Sequence, residues 1–200
     1  MSLFLETIRI ENGRIHNPDY HIRRMIRTSE IAGFSLPARA PVSFLESLKI
    51  PEAGLYRLRI LYSSAIFNHE IISYRQKEIR SLKVVCVPRP GYSLKYADRY
   101  VIDRLSDLKG ECDEVLIVSD DFITDTSYCN VALERKGFWY TPARPLLKGT
   151  MREFLLDSGI LREEEIRLSG LGNYSMIRLF NAMIPWERAI TLPLSAVKIP

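Results

Sequence analysis

Long apolar runs are missing from this sequence: no stretch approaches the roughly 20 residues a membrane-spanning helix needs, which argues against a membrane partner. The opening residues, MSLFLETIRIENG, alternate apolar and polar and meet Glu6 early. That is the pattern of a strand and not of a signal peptide, so a cytoplasmic location is expected. Cysteine is scarce. Cys86, Cys112 and Cys129 stand far apart without C-x-x-C spacing, and read as reduced core residues, not as a disulfide framework. His16, His21 and His69 are equally scattered, and the absence of an H-E-x-x-H or Cys/His cluster removes the basis for a zinc site. Gly170-Leu171-Gly172-Asn173 lacks the third glycine and the preceding strand of a dinucleotide fingerprint and reads as a turn. Strong charge of one sign is lacking too. The 28 basic and 24 acidic residues leave a net charge of +4, spread along the chain apart from Arg23, Arg24 and Arg27. Without a dense basic stripe interleaved with aromatics, nucleic acid is not an expected partner. A small basic cluster suits a phosphate-bearing small molecule.

What is present is a succession of short periodic segments. Phe4 to Ile10 alternates as a strand, with Glu11-Asn12-Gly13 as a hairpin turn. Tyr20 to Ala32 reads as a helix with Asp19 as its N-cap and Ile22, Met25, Ile26 and Ile31 along its apolar stripe. A short helix through Phe44, Leu45 and Leu48 follows, then strands at Leu55 to Tyr62, Ala65 to Tyr74 and Leu82 to Val87. Pro88-Arg89-Pro90-Gly91 is the best linker in the chain. Beyond it, the pattern predicts a helix from Tyr96 to Leu108. Strands are predicted at Glu114 to Val118, Phe122 to Thr126, Asn130 to Glu134 and Phe138 to Tyr140, with turns at Asp120-Asp121 and Lys136-Gly137. A helix from Thr150 to Asp157 and strands at Arg178 to Met183 and Ala189 to Leu194 complete the series. The outline is α+β: a small mixed N-terminal lobe over residues 1–87, a linker over 88–94, and a larger strand-rich lobe over 95–200.

Four places carry possible chemistry. A lysine at a lobe junction, Lys95, could be desolvated enough for its amine to attack a carbonyl, although most lysines are solvated surface groups. Gly149 ahead of a helix would let the N–H groups of Thr150 and Met151 point at a phosphate; an ordinary helix start looks the same in sequence. Arg24 could grip a phosphate dianion or belong to a solvated arginine face. Asp125, within alternating sequence, could face solvent or turn inward to pair with a buried cation.

The order of these pieces resembles the class IV aminotransferases, the fold-type IV pyridoxal-phosphate enzymes, from about Leu5 to Trp186. Leu5-Glu6-Thr7-Ile8-Arg9 with Asn12-Gly13-Arg14 resembles the early strand and turn, and His21-Ile22-Arg23-Arg24-Met25 the H-x-x-R helix. Leu94-Lys95 with Arg99 resembles the catalytic lysine segment, and Cys112 to Leu116 the A-D-E strand. Thr124 to Asn130 lies where the family has T/S-E-x-x-x-x-N, Tyr140-Thr141-Pro142 matches the T-P pair, and Gly149 to Arg152 the G-(I/V)-(T/M)-R helix start. Asn181-Ala182-Met183-Ile184-Pro185 resembles the N-A-L-x-P element of the lyase branch.

The resemblance implies a two-lobed fold, pyridoxal 5'-phosphate bound between the lobes, and a homodimer acting on a small-molecule amine. Lys95 would form the Schiff base and shuttle protons. Arg24, the N–H groups of Thr150 and Met151, and the Asn181-Ala182 backbone would hold the phosphate; Asp125 would pair with the ring nitrogen, and Tyr100 would lie near the ring hydroxyl. Two departures stand out: Asp125 occupies a position where the family carries glutamate, and the chain starts almost at the Glu6-Thr7 strand, without the opening strands of many relatives. The reading favoured by the Asn181–Pro185 element and the Lys95/Arg99 pair is 4-amino-4-deoxychorismate lyase, which releases pyruvate and leaves 4-aminobenzoate for folate synthesis. The alternatives are an amino-acid transaminase of branched-chain or D-amino-acid type, towards which Tyr100 leans, and a catalytically silent relative, motivated by Asp125.

Overall fold

Strand β1 (Phe4–Glu11) organises the first part of the chain. Phe4, Ile8 and Ile10 recur at even positions and are all buried, as expected of residues sharing one face of a strand. The turn after it places Asn12 and Gly13 at φ of +48° and +74°, a left-handed pair that Asn-Gly accommodates readily, and leads into β2 (Arg14–Ile15). Helix α1 (Pro18–Ala32) starts at Pro18, with Asn17 as its N-cap in the left-handed region. Asp19, expected as the cap, lies in the first turn instead, because proline fits the first helical position and sets the boundary before it. Helix α2 (Arg39–Ser47) and strands β3 (Leu55–Tyr62) and β4 (Ile66–Ser73) follow, giving an antiparallel sheet of order β2-β1-β3-β4. Ile8, Ile10, Leu45, Leu58 and Ile60 form one buried cluster, and Phe4, Met25, Leu36, Tyr62 and Leu94 a second.

The presence of Leu94 in that cluster marks a return of the chain. The computed structural model, which describes residues 2–88 and 90–199, divides into two units: Met1–Gln76 with Leu94–Asp98, and Lys77–Ser93 with Arg99–Pro200. The segment around Lys95 lies against the start of β1: Leu5 N–H donates to Lys95 O at 2.9 Å, and Ala97 N–H to Leu3 O at 2.9 Å. Tyr96, expected to begin a helix, is instead paired with Phe4, their rings 5.3 Å apart. Helix α3 accordingly begins later, at Tyr100–Ser106. The expected boundary at 87 also differs from the structure. Strand β5 (Leu82–Val87) pairs with β6 (Glu114–Ser119) in the second unit. Arg89, within the expected linker, lies outside the described residues.

Every residue of β6 is buried, as befits a strand paired in parallel and covered on both faces. With β7 (Phe122–Ile123) and β13 (Val197–Lys198) it forms a sheet of order β13-β5-β6-β7. Strands β8 (Asn130–Arg135), β9 (Phe138–Pro142), β10 (Leu161–Glu164), β11 (Met176–Phe180) and β12 (Ile190–Pro193) form another, in the order β10-β9-β8-β11-β12. Helix α4 (Thr150–Asp157) packs Met151 and Leu155 with Ala132, Leu161 and Phe180. Gly170 and Gly172 lie in a 3₁₀ segment, Leu168–Asn173. No helix among the described residues is long and apolar enough to cross a membrane.

Candidate functional site

In the first unit, β1 and α1 bring three ionisable side chains together. Glu6 follows Phe4 by two residues and precedes Ile8 by two, so the alternation that buries those residues buries a carboxylate with them. It has no exposed surface. Arg24 donates to it through Nε (2.7 Å to Oε1) and Nη2 (2.6 Å to Oε2), and His21 Nδ1 lies 2.6 Å from Oε2. A carboxylate only accepts, so His21 carries its proton on Nδ1. Burial opposes the charge on Glu6, but Arg24 and His21 outweigh it and hold the carboxyl down at about 2. Burial depresses His21, Glu6 pulls it upward, and the charges of Arg24 and Lys95 depress it further. Lys95 is half-buried, its backbone fixed on β1. Of the three clustered arginines, Arg23 is exposed and lies over the Tyr20 ring, whereas Arg24 turns inward.

In the second unit, the turn between β7 and β8 gathers the other expected residues. Asp125 is 5% exposed; Oδ1 accepts Asn130 Nδ2–H at 2.7 Å, and Oδ2 accepts Leu147 N–H at 2.9 Å. It therefore turns inward, the alternative that sequence left open. Burial pushes its pKa up to about 6, against the lowering effect of Leu147 N–H and Asn130. The same turn holds the Asn181 element: Asn181 Nδ2 donates to Tyr128 O at 3.1 Å and lies 3.3 Å from Cys129 Sγ. Asn181 Oδ1 accepts the N–H groups of Met183 (2.8 Å) and Ile184 (3.0 Å), closing a tight turn around half-buried Ala182. Burial, with nearby Glu114, raises the Cys129 thiol far above its usual range, which makes it a packing residue. Thr150 and Met151 open α4, and Gly149 at the N-cap provides no side-chain cap. Arg152 is engaged within the unit, donating to Pro142 O (2.9 Å) and to the Glu163 carboxylate (2.5 Å) and tying α4 to β9 and β10. Tyr100 opens α3 with 68% of its surface exposed. Arg99 donates to Ser127 O at 3.1 Å, and Ser127 Oγ–H donates to buried Glu114 at 2.9 Å. Among the described residues no group of His, Cys, Asp and Glu could hold a metal ion.

Sequence reasoning gave no role to Glu6 or Asn130. Glu6 carried a signal, an acid in phase with three inward apolar residues. The grip of Asn130 on a loop 17 residues away carried none.

The class IV amino-transferase family model matches residues 3–189. An uncharacterized protein of Haemophilus influenzae is 36% identical over 180 residues, 89% of this chain and 96% of that protein. A crystal structure from Haemophilus somnus 129PT, provisionally named a 4-amino-4-deoxychorismate lyase, is 33% identical, with a TM-score of 0.84 over 92% of this chain and 98% of that one. A provisionally named amino-acid aminotransferase of Mesorhizobium loti, 20% identical, has the same fold, with a TM-score of 0.79 over the full length of both. With its family pattern running from the β1 strand past the Asn181 turn, this chain belongs to the class IV aminotransferases and is an enzyme of fold type IV.

Proposed function

We propose that the protein is a pyridoxal 5'-phosphate-dependent lyase acting on 4-amino-4-deoxychorismate, releasing pyruvate and leaving 4-aminobenzoate. The similarity to the Haemophilus somnus protein over nearly the whole of both chains carries the choice of reaction. The donor set suits the cofactor. Lys95 offers a primary amine on fixed backbone, and α4 offers a helix start without a side-chain cap. Asp125 is a buried acid that accepts from Asn130 and from the Leu147 and Leu146 N–H groups, and the four lone-pair sites of a carboxylate leave capacity for a ring N–H. Bound pyridoxal phosphate supplies a conjugated ring that takes up the electron pair released at the substrate α-carbon.

In this reading Lys95 Nζ would hold the cofactor and, as a base and acid, would move the proton to and from the substrate. The N–H groups of Thr150 and Met151, with the Asn181-Ala182 backbone and Arg24, bind the phosphate. Glu6 holds Arg24 in place, and Asp125 keeps the ring nitrogen protonated. Tyr100 is assigned near the ring hydroxyl by the same resemblance, as is a homodimeric state.

Absorbance spectra with added pyridoxal phosphate, before and after borohydride, test the cofactor and the lysine together. Wild type is expected to show a visible band that borohydride traps at Lys95, and Lys95→Ala to lack it; an unchanged band in Lys95→Ala would exclude that lysine. Pyruvate release from aminodeoxychorismate without an added keto acid supports the lyase. Dependence on a keto acid would favour the transaminase reading instead.

A further inference from the structure

Gly149 has φ of −72° and ψ of 146°, backbone that any residue adopts, so its conformation does not call for glycine. Space does. A Cβ at position 149 would fall 2.0 Å from Asn130 Oδ1 and 3.2 Å from its Cγ. Asn130 is only 6% exposed and cannot swing away without loss: Nδ2 donates both to Asp125 Oδ1 (2.7 Å) and to Leu147 O (2.9 Å). Two acceptors on one atom identify that atom as the amide nitrogen, and the pair uses both of its protons. Asp125 Oδ2 meanwhile takes Leu147 N–H. The peptide groups of Leu147 are thus held at the nitrogen by Asp125 and at the oxygen by Asn130, while Asn130 Oδ1 fills the notch at Gly149. Leu147 to Gly149 is the approach to α4, whose N-cap has no capping side chain of its own.

We infer that Asp125, Asn130 and Gly149 are positioning residues for the α4 N-terminus, clipping its approach loop so that the first N–H groups of the helix meet the cofactor phosphate. The inference rests on the pyridoxal-phosphate reading above. It gives Asp125 a task beyond the ring nitrogen and explains Gly149 by the side chain of Asn130 and not by close approach of an anion. The three residues act as one device: shifting any of them moves Leu147 and the helix start together.

The test compares pyridoxal phosphate with pyridoxal, which offers the same aldehyde and ring without the phosphate. Dissociation constants for both are taken from visible absorbance in wild type, Gly149→Ala, Asn130→Ala and the double variant, with thermal melts alongside. Gly149→Ala and Asn130→Ala should each weaken pyridoxal phosphate by roughly tenfold to a hundredfold, the scale of one or two charge-assisted hydrogen bonds, and leave pyridoxal within about twofold. Adding Asn130→Ala to Gly149→Ala should raise the melting temperature by removing the collision, without restoring the preference for the phosphate form. Equal weakening of both ligands would overturn the inference, as would unchanged phosphate preference in the single variants. Should Gly149→Ala not fold, Asn130→Ala releases the same grip without adding an atom, and the same two outcomes decide. A wild type that binds neither ligand would bring down the cofactor reading and this inference with it. A wild type that binds both, with variants that weaken both equally, brings down this inference alone.

Discussion

A carboxylate with no exposed surface has lost its hydration and must recover that free energy from its neighbours. Glu6 does so through a two-point contact from Arg24 and a third from His21, all between 2.6 and 2.7 Å. Replacing it by alanine would leave a buried guanidinium without its anion, a loss of about 3–5 kcal/mol in comparable buried pairs. Urea denaturation of Glu6→Ala should show a deficit of that order. Glu6→Gln, which keeps the shape and one acceptor, should lose less, and a deficit below about 1 kcal/mol in Glu6→Ala would mean that Arg24 finds another partner. The burial of Glu6 was legible in the sequence, since it shares its phase with Phe4, Ile8 and Ile10. The family pattern singled out Arg24 from Arg23 and Arg27, but for a phosphate; its pairing with Glu6 was not legible, because helical spacing alone does not fix how α1 is rotated on the sheet. Asp125 was left open by local sequence for a similar reason: its donors, Asn130 and Leu147, come from outside its own strand.

Elements whose signal is local were legible to the residue. Strands β3 and β5 and helix α4 run between the residues that alternation and helical periodicity indicate. Elements made by partners were not. Strand β10, Leu-Arg-Glu-Glu, has no apolar alternation and exists because it pairs in parallel with β9, and the segment before α3 is drawn to β1 by Tyr96 on Phe4. Helix α4 shows how such partners act on the candidate site. Its eight residues are too few to be stable as an isolated helix, so its position depends on the cluster around Leu155, a fully buried side chain. Leu155→Ala should cost about 2–5 kcal/mol, the range for deleting a buried leucine. Because α4 supplies the proposed phosphate donors, affinity for pyridoxal phosphate should fall with it while that for pyridoxal changes less. Full stability in Leu155→Ala, read by urea denaturation, would show that the side chains around Gly149 hold the helix unaided.

For the molecule as a whole, the buried titratable groups predict how stability changes with acid, and their signs differ. Glu6 is held down at about 2 from an ordinary 4.5; its contribution is complete above 4.5 and is lost as pH falls from there towards 2. His21 is lowered from 6.5; the unfolded chain takes up that proton first, so stability begins to fall below 6.5. Asp125 is raised from 3.8 to about 6; here the folded chain protonates first, and stability is gained as pH falls from about 6 towards 3.8. Between 6.5 and 4.5 the last two groups oppose each other and the stability curve should be shallow; below 4.5, Glu6 makes it steep. Of these three groups, Asp125 alone gains on acidification, and Asp125→Asn removes it. Relative to wild type it should lose ground as pH falls from 6 towards 4, by an amount on the order of 1–3 kcal/mol. Both tryptophans, Trp139 and Trp186, belong to the same unit as Asp125, so denaturation followed by their fluorescence at stepped pH reads that unit directly. A difference between the two proteins that stays constant from pH 7 to pH 4 would mean that Asp125 is already ionised throughout that range. The network of Asn130 and Leu147 would then outweigh the burial of its carboxylate.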